Sequence, residues 1–294
     1  GPMQFSFSKM NSQGNDFVIV DNTSQNISLT KELIKKISSR DKIGCDQLLL
    51  LDISNSRKVY CKIYNQDGTE AFQCGNGMRA VMSFLKRNYD FMEASIVVNR
   101  VPYKIVYTND ANIQVNMGSP ILLAEKPICI NRKNVKISSN SFYYTVDIED
   151  SFEPWSFSYC PIMLGNFHCV VFSCDCFSNQ KKIKDLLYSF YKDIPNISYI
   201  LNLKNFLNKK DEIIQLKVDE RGSGWTKSCG SGATATASFI IRYSNANQIT
   251  IDEVLINQEG GELRIQWKDY NGKPSQDIYL IGPTTFEYDG IWNE

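Results

Sequence analysis

One short frame occurs twice in this chain, and that repetition limits the fold to something built from two like halves. Gln73-Cys74-Gly75-Asn76-Gly77 and Ser228-Cys229-Gly230-Ser231-Gly232 carry their cysteines 155 residues apart. Each frame opens an apolar stretch that reads as a helix. Gly77 to Arg87 carries Met78, Val81, Met82 and Leu85; Ala233 to Tyr243 carries Ala233, Ala237, Phe239, Ile240 and Ile241. The second is apolar nearly all round, the mark of a buried helix. The upstream elements match as well. Gly14-Asn15 begins 60 residues before Cys74, and Gly165-Asn166 begins 64 before Cys229; Asn65 and Glu220 each stand nine before their cysteine. Consistent spacing with little identity is the expectation for an old duplication into two similar domains.

The rest of the chain is read mainly as short strands. Phe17 to Val20, Gln47 to Leu51, Val59 to Tyr64, Ile96 to Asn99, Lys104 to Tyr107 and Ile113 to Asn116 are β-branched or aromatic runs bounded by polar turns. Two further helices are expected at Thr30 to Arg40, with Thr30 as cap, and Gln180 to Tyr191. Helices do not alternate regularly with strands, which argues against a doubly wound parallel sheet. The expected fold is α+β: two pseudo-symmetric domains, each a mainly antiparallel sheet wrapped around a central helix. The join is expected near Asn116-Met117-Gly118-Ser119-Pro120. This gives domains 1–118, completed by 281–294, and 119–280.

Composition narrows the function. Lys+Arg and Asp+Glu are both 32, so the net charge is zero, which argues against a nucleic-acid partner. No run approaches the roughly 20 apolar residues of a membrane span. Gly1-Pro2 reads as a cleavage scar, and no basic segment followed by an apolar one marks an export signal. The nine cysteines are an odd count, fitting a reducing, cytoplasmic setting. With one histidine, His168, and no Cys-x-x-Cys, no metal site is expected. Cys45, Cys61, Cys129, Cys160, Cys169, Cys174 and Cys176 read as small core residues.

Cys74 and Cys229 read differently. A thiol at a helix N-terminus feels the positive end of the macrodipole, which favours thiolate and is expected to bring its pKa toward neutrality. Glycines beside it let backbone N–H groups turn toward an anion. Two such thiols facing one substrate can take a proton from one side of a carbon and return one to the other. An amino-acid α-carbon is a very weak acid. Two helix N-termini at its carboxylate would supply the preorganised field that a cofactor-free enzyme needs. The thiols titrate as a coupled pair. A disulfide between Cys74 and Cys229 is the alternative, read as an inactive form.

At these residues the chain resembles the diaminopimelate epimerases. The resemblance runs from Phe7-Ser8-Lys9-Met10 to Tyr288-Asp289-Gly290 and includes Gly14-Asn15-Asp16-Phe17, Asp46-Gln47-Leu48-Leu49, Asn65-Gln66-Asp67-Gly68, both cysteine frames, Gly165-Asn166-Phe167-His168-Cys169 and Glu220-Arg221-Gly222-Ser223-Gly224. It implies a cofactor-independent isomerase of lysine and peptidoglycan-precursor synthesis, interconverting LL- and meso-diaminopimelate with its active site in an interdomain cleft. Cys74 and Cys229 would be the acid/base pair, and His168 and Glu220 would tune them. Gly75-Asn76 and Gly230-Ser231 would hold the reacting carboxylate, with Asn15 and Gln47 lining that end. Asn65, Asn166, Asn196 and Arg221 would hold the distal amino-acid group, with Glu220 also in the substrate shell. Tyr288 matches a tyrosine that supports a homodimer.

Two positions depart from the pattern. Ser12 stands where the family commonly has Gly. Trp225 replaces a glutamate four residues before Cys229, at a place expected to bear on substrate choice. A related racemase of another amino acid, such as histidine, is therefore the rival reading. The retained Asn65, Asn166, Asn196 and Arg221 favour a substrate with two amino-acid ends. A redox-sensing or ligand-binding module on the same fold is the non-enzymatic alternative. A thiol–disulfide oxidoreductase is disfavoured by the wide separation of the thiols in sequence.

Overall fold

The computed structural model of the chain describes residues 3–55, 57–72, 75–128, 132–149, 152–173, 176–267 and 276–294. It divides into two compact units, Gly1–Asn116 with Ile281–Glu294, and Met117–Leu280.

The first unit runs β1 (Gln4–Ser12), β2 (Asn15–Asp21), α1 (Lys31–Ser38), β3 (Gln47–Asn55), β4 (Lys58–Asn65), β5 (Glu70–Ala71), α2 (Gly75–Tyr89), β6 (Glu93–Val98), β7 (Val101–Asn109) and β8 (Asn112–Asn116). Strands β1 and β2 form a hairpin. The sheet continues through a parallel β2–β3 pair, antiparallel β3–β4, a short antiparallel β4–β5 flap, parallel β4–β6, and antiparallel β6–β7–β8. Leu48, Val18, Phe5 and Phe7 face one way and pack with Leu33 and Ile37 of α1. Phe17, Ile19, Leu49 and Ile63, at the alternate positions, are also buried, as strand alternation requires when both sheet faces are covered. Helix α2, which contacts β1, β2, β6, β7 and β8, supplies Met78, Val81, Met82 and Leu85 to the core.

The second unit follows with β9 (Ile121–Leu122), β10 (Val135–Ser139), β11 (Tyr144–Ile148), β12 (Trp155–Leu164), β13 (Asn166–Val171), α3 (Gln180–Phe190), β14 (Asn196–Ile200), α4 (Leu203–Leu207), β15 (Ile213–Glu220), β16 (Gly224–Thr226), α5 (Gly230–Ala246), β17 (Glu253–Gln258) and β18 (Gly261–Gln266). The unit boundary falls in β19 (Tyr279–Gly282), and β20 (Thr285–Asn293) returns to the first unit to pair antiparallel with β1.

The pairing order of the first unit recurs here. Strands β12 and β13 are antiparallel, β13–β14 parallel, β14–β15 antiparallel, β15–β16 a short antiparallel flap, β15–β17 parallel and β17–β18 antiparallel. One helix, α1 or α3, precedes the third strand of each series, and another, α2 or α5, follows each flap. The units are pseudo-symmetric by topology, and the architecture is a mainly antiparallel α+β sheet around a buried helix. The parallel joints are the one feature that "mainly antiparallel" leaves out.

Candidate active site

The repeated topology sets out two matching groups of residues. Asn15 and Asn166 open β2 and β13. Gln47 and Asn196 open β3 and β14. Asn65 and Glu220 close β4 and β15. Gly75 and Gly230 open α2 and α5. Asn15 and Asn166 are each preceded by a glycine at positive φ, Gly14 at 86° and Gly165 at 70°. The tight turn into the strand needs that left-handed conformation, and a Cβ disfavours it.

In the first unit, Asn15 accepts a bond from Asn76 Nδ2 at 3.3 Å and donates to Asp46 Oδ2 at 3.0 Å. Gln47 Nε2 donates to Asn65 Oδ1 at 3.2 Å, across the β3–β4 pair where the two residues are opposite. Behind Asn15 lies an ion lattice. Lys9 Nζ meets Asp16 Oδ2 at 2.8 Å, and Arg40 bridges Asp16 at 2.5 Å and Asp46 at 3.0 Å. Burial pushes the Asp16 carboxyl up, but hydrogen bonds from Arg40 and Lys9 outweigh it and hold it well below the usual carboxylate range. Gln73 and Cys74 lie outside the described residues, as do Cys129 and Cys174. Cys45, Cys61, Cys160, Cys169 and Cys176 are buried.

In the second unit, Cys229 is a free thiol and the N-cap of α5; its Sγ accepts from the Gly232 N–H at 3.3 Å and lies 3.7 Å from Ser231 Oγ. Strand alternation arranges its neighbours. Phe167, Cys169, Ile197 and Tyr199 point into the core against α3. His168, Asn196, Val218 and Glu220 therefore occupy the opposite face, which carries α5. His168 and Asn196 are directly opposite in the parallel pair. The Glu220 carboxylate accepts from the Cys229 thiol, and burial raises its own pKa.

Cys229 differs from the expected acidity. Burial is the largest influence and pushes the thiol well up; Glu220, by charge and by hydrogen bond, pushes it further. The Gly232 N–H and the Ser231 hydroxyl pull the other way and do not win. At rest the thiol is protonated, because desolvation of a thiolate outweighs one helix terminus.

The remaining predicted groups are placed as follows. Asn166 is exposed. Asn196 Oδ1 accepts from the Arg221 N–H at 2.8 Å. The Arg221 guanidinium is exposed and paired with Asp193 at 2.7 Å. His168 is fully enclosed, and among the described residues neither ring nitrogen has a hydrogen-bond partner; burial holds its pKa down at about 4. Tyr288 is half-exposed on β20, edge-to-face with Phe7.

The family model described as "Diaminopimelate epimerase" matches residues 7–123. A protein named diaminopimelate epimerase from Blochmanniella pennsylvanica (strain BPEN) is 32% identical over 305 residues, covering 98% of this chain and 99% of its own. The chain belongs to the diaminopimelate epimerase family. Another member by name, from Wigglesworthia glossinidia brevipalpis, is 34% identical over 300 residues, with 98% and 99% covered. A solved PhzF-family phenazine biosynthesis protein of Bacillus anthracis superposes with a TM-score of 0.65 at 13% identity, covering 99% of each chain. A hydroxyproline epimerase from Agrobacterium vitis gives 0.59 at 11%, covering 99% of this chain and 92% of its own. At those identities the likeness is one of fold.

Against the pattern of the diaminopimelate epimerases, both departures find a local explanation. Ser12 is buried and bonds Thr284 Oγ1 at 2.9 Å. Trp225 is opposite Asp219, so it shares the α3 face of the sheet and not the face of Glu220. Its ring packs on Phe177 at 5.6 Å and Tyr199 at 5.8 Å. Nearness in sequence to Cys229 made it a specificity candidate; pleating turns it away from the sulfur. A cavity of about 340 Å³ lies beside it, in the fork where β15 parts from β17 toward β16, lined by Lys217, Trp225, Gln258 and Glu259 among others. Sequence reasoning missed Gln258 and the Asp16–Arg40–Asp46 lattice.

Proposed function

We propose that the chain interconverts LL- and meso-diaminopimelate, a step of lysine and peptidoglycan-precursor synthesis, with Cys74 and Cys229 as a two-thiol acid/base pair and no pyridoxal phosphate. The observation that carries the reading is Cys229: a buried thiol at the start of a buried helix, bonded to a carboxylate and to a backbone N–H. Membership of the family supports the substrate.

In this reading one thiolate removes the α-hydrogen as a proton. The electron pair left on carbon is delocalised into the carboxylate, and the other thiol delivers a proton to the opposite face. For Cys229 to act as base, Glu220 takes the thiol proton. The Gly232 N–H and the α5 dipole then stabilise the sulfur anion. The N–H groups at Gly75-Asn76 and Gly230-Ser231 receive the charge that develops on the carboxylate. Asn15 and Gln47 line the reacting end. Asn65, Asn166, Asn196 and Arg221 receive the distal end, with Arg221 exchanging Asp193 for the distal carboxylate. His168 is assigned to tuning the thiols.

The test is α-proton exchange in D2O under reducing conditions, followed by proton NMR with LL-diaminopimelate and, separately, L-histidine. Loss of the α-signal with the first alone is expected, and Cys74→Ser or Cys229→Ser should abolish turnover. Exchange with histidine alone overturns the substrate; exchange with neither overturns the enzyme reading. The chain is also proposed to work in the cytoplasm as a homodimer through Tyr288. Sedimentation should find the wild type dimeric and Tyr288→Ala shifted to monomer.

A further inference from the structure

Cys229 is a cap whose own backbone is held from outside its helix. In a capping box, the third residue of the helix sends a Glu or Gln side chain back to the N–H of the cap. The third residue of α5 is Gly232, which has no side chain to send. Nor is there room for one: a Cβ there would lie 3.1 Å from Cys229 Sγ and 3.1 Å from a Val218 methyl. The task passes to Gln258, the last residue of β17, 29 positions along the chain. Its Oε1 accepts from the Cys229 N–H at 2.9 Å, and its Nε2 donates to the Cys229 carbonyl at 3.3 Å. Gln258 is itself only 4% exposed, so the amide is committed to this contact. Close by, the Gly260 N–H donates to the Lys227 carbonyl at 2.7 Å, tying the β17–β18 turn to the segment that leads into the cap.

We infer that Gln258 is the positioning residue of Cys229: by gripping both backbone groups of the cap it fixes the Cα–Cβ direction and keeps Sγ within reach of the Gly232 N–H and of Glu220. The inference rests on Cys229 as a proton-transfer group. Its consequence is chemical as well as mechanical. If the cap rotates, the sulfur loses the Gly232 N–H that lowers its pKa while remaining buried, so less thiolate forms at a given pH.

The test is iodoacetamide alkylation of the full-length reduced protein from neutral to alkaline pH, with Cys229- and Cys74-containing peptides followed separately by mass spectrometry. The pH midpoint of alkylation reports thiolate formation rather than access. In Gln258→Leu the Cys229 midpoint should rise by about one unit, a tenfold smaller thiolate fraction, while that of Cys74 stays put. With diaminopimelate, kcat should fall about tenfold with KM within about twofold, since the loss is confined to the transition state. Gln258→Met keeps length and volume without the hydrogen bonds and should behave alike. Ile256→Val, a destabilising core change two residues earlier in the same strand that removes no hydrogen bond to the cap, should leave the Cys229 midpoint unchanged. An unmoved Cys229 midpoint in both folded Gln258 variants overturns the inference, as does an equal shift in Ile256→Val. Failure of the epimerase reading appears separately, as absent exchange in the wild type while the alkylation result stands.

Discussion

His168 is the one imidazole of the chain; it is fully buried, and among the described residues neither nitrogen is hydrogen-bonded. With its folded pKa at about 4 and an ordinary value of 6.5, the unfolded chain takes up the proton first as pH falls. Stability is therefore complete above the ordinary value and declines between pH 6.5 and about 4. The total is about 3 kcal/mol, of which about 2 is gone by about pH 5. Urea midpoints measured at neutral pH and near pH 5 should show this loss in the wild type and much less of it in His168→Gln. Glu220 gives a prediction of mixed sign. Removing its charge in Glu220→Gln should lower the Cys229 alkylation midpoint, because that charge opposes the thiolate. Turnover should nevertheless fall about a hundredfold, because the thiol proton loses its acceptor. An unchanged midpoint would separate Glu220 from the thiol. At this scale the sequence spoke through frames: Gly-Asn, Cys-Gly-x-Gly and Glu-Arg each mark a residue at an element end. It was silent on Gln258 and on the Asp16–Arg40 pair, whose partners are 29 and 24 residues away without periodic spacing. It misled on Cys229 acidity and on Trp225, because burial and the face of a strand are set by chains distant in sequence.

Helix α5 shows what the apolar pattern reveals and what it conceals. Its nearly all-round apolarity announced burial, and its core residues from Ala233 to Ile241 are buried. The helix begins three residues before the expected Ala233, and α2 begins two before Gly77. Glycines are poor helix formers, so their propensity hides a start fixed by capping. Gly232→Ala tests that start. Helix propensity alone would favour alanine by up to about 1 kcal/mol, but the new methyl must displace Sγ or Val218. Thermal stability should change by a few degrees at most, while kcat/KM falls at least about tenfold as the sulfur shifts. Full activity would mean that the sulfur position tolerates the displacement. Among strands, β12 carries Pro161 in its interior, a residue that cannot donate to a ladder. The strand forms nonetheless, because Pro161 lies opposite Cys169 and its carbonyl still accepts from Ala124 at 3.2 Å.

For the whole molecule, the legible signal was the near-equal spacing of Gly-Asn and Cys-Gly-x-Gly in the two halves. Those motifs sit at the same ordinal strands and helices of each unit, so a spacing of 60 or 64 residues measures the same series of pairings twice. Closure of the first unit by the far end of the chain, expected at 281–294, has no periodic signature of its own in the strands it joins, because an antiparallel partner can come from any distance. It rests on β20, which pairs with β1 from Gln4 to Asn11 and places Trp292 against Phe5 at 6.5 Å. Loss of the buried Trp292 alone costs about 3–5 kcal/mol, a large share of the stability of a domain this size. Deleting residues 285–294 also strips β1 of a ladder and uncovers Phe7. The truncated chain should lose its first unit, seen as rapid limited proteolysis within 3–116, while cleavage of the β12–β18 region stays slow. The second unit lies outside the β1–β20 ladder and has its own core from Tyr144 to Tyr199. Equal acceleration of cleavage in both regions would show that the units fold as one cooperative body. Unchanged resistance throughout would show that β20 is dispensable to the sheet it borders.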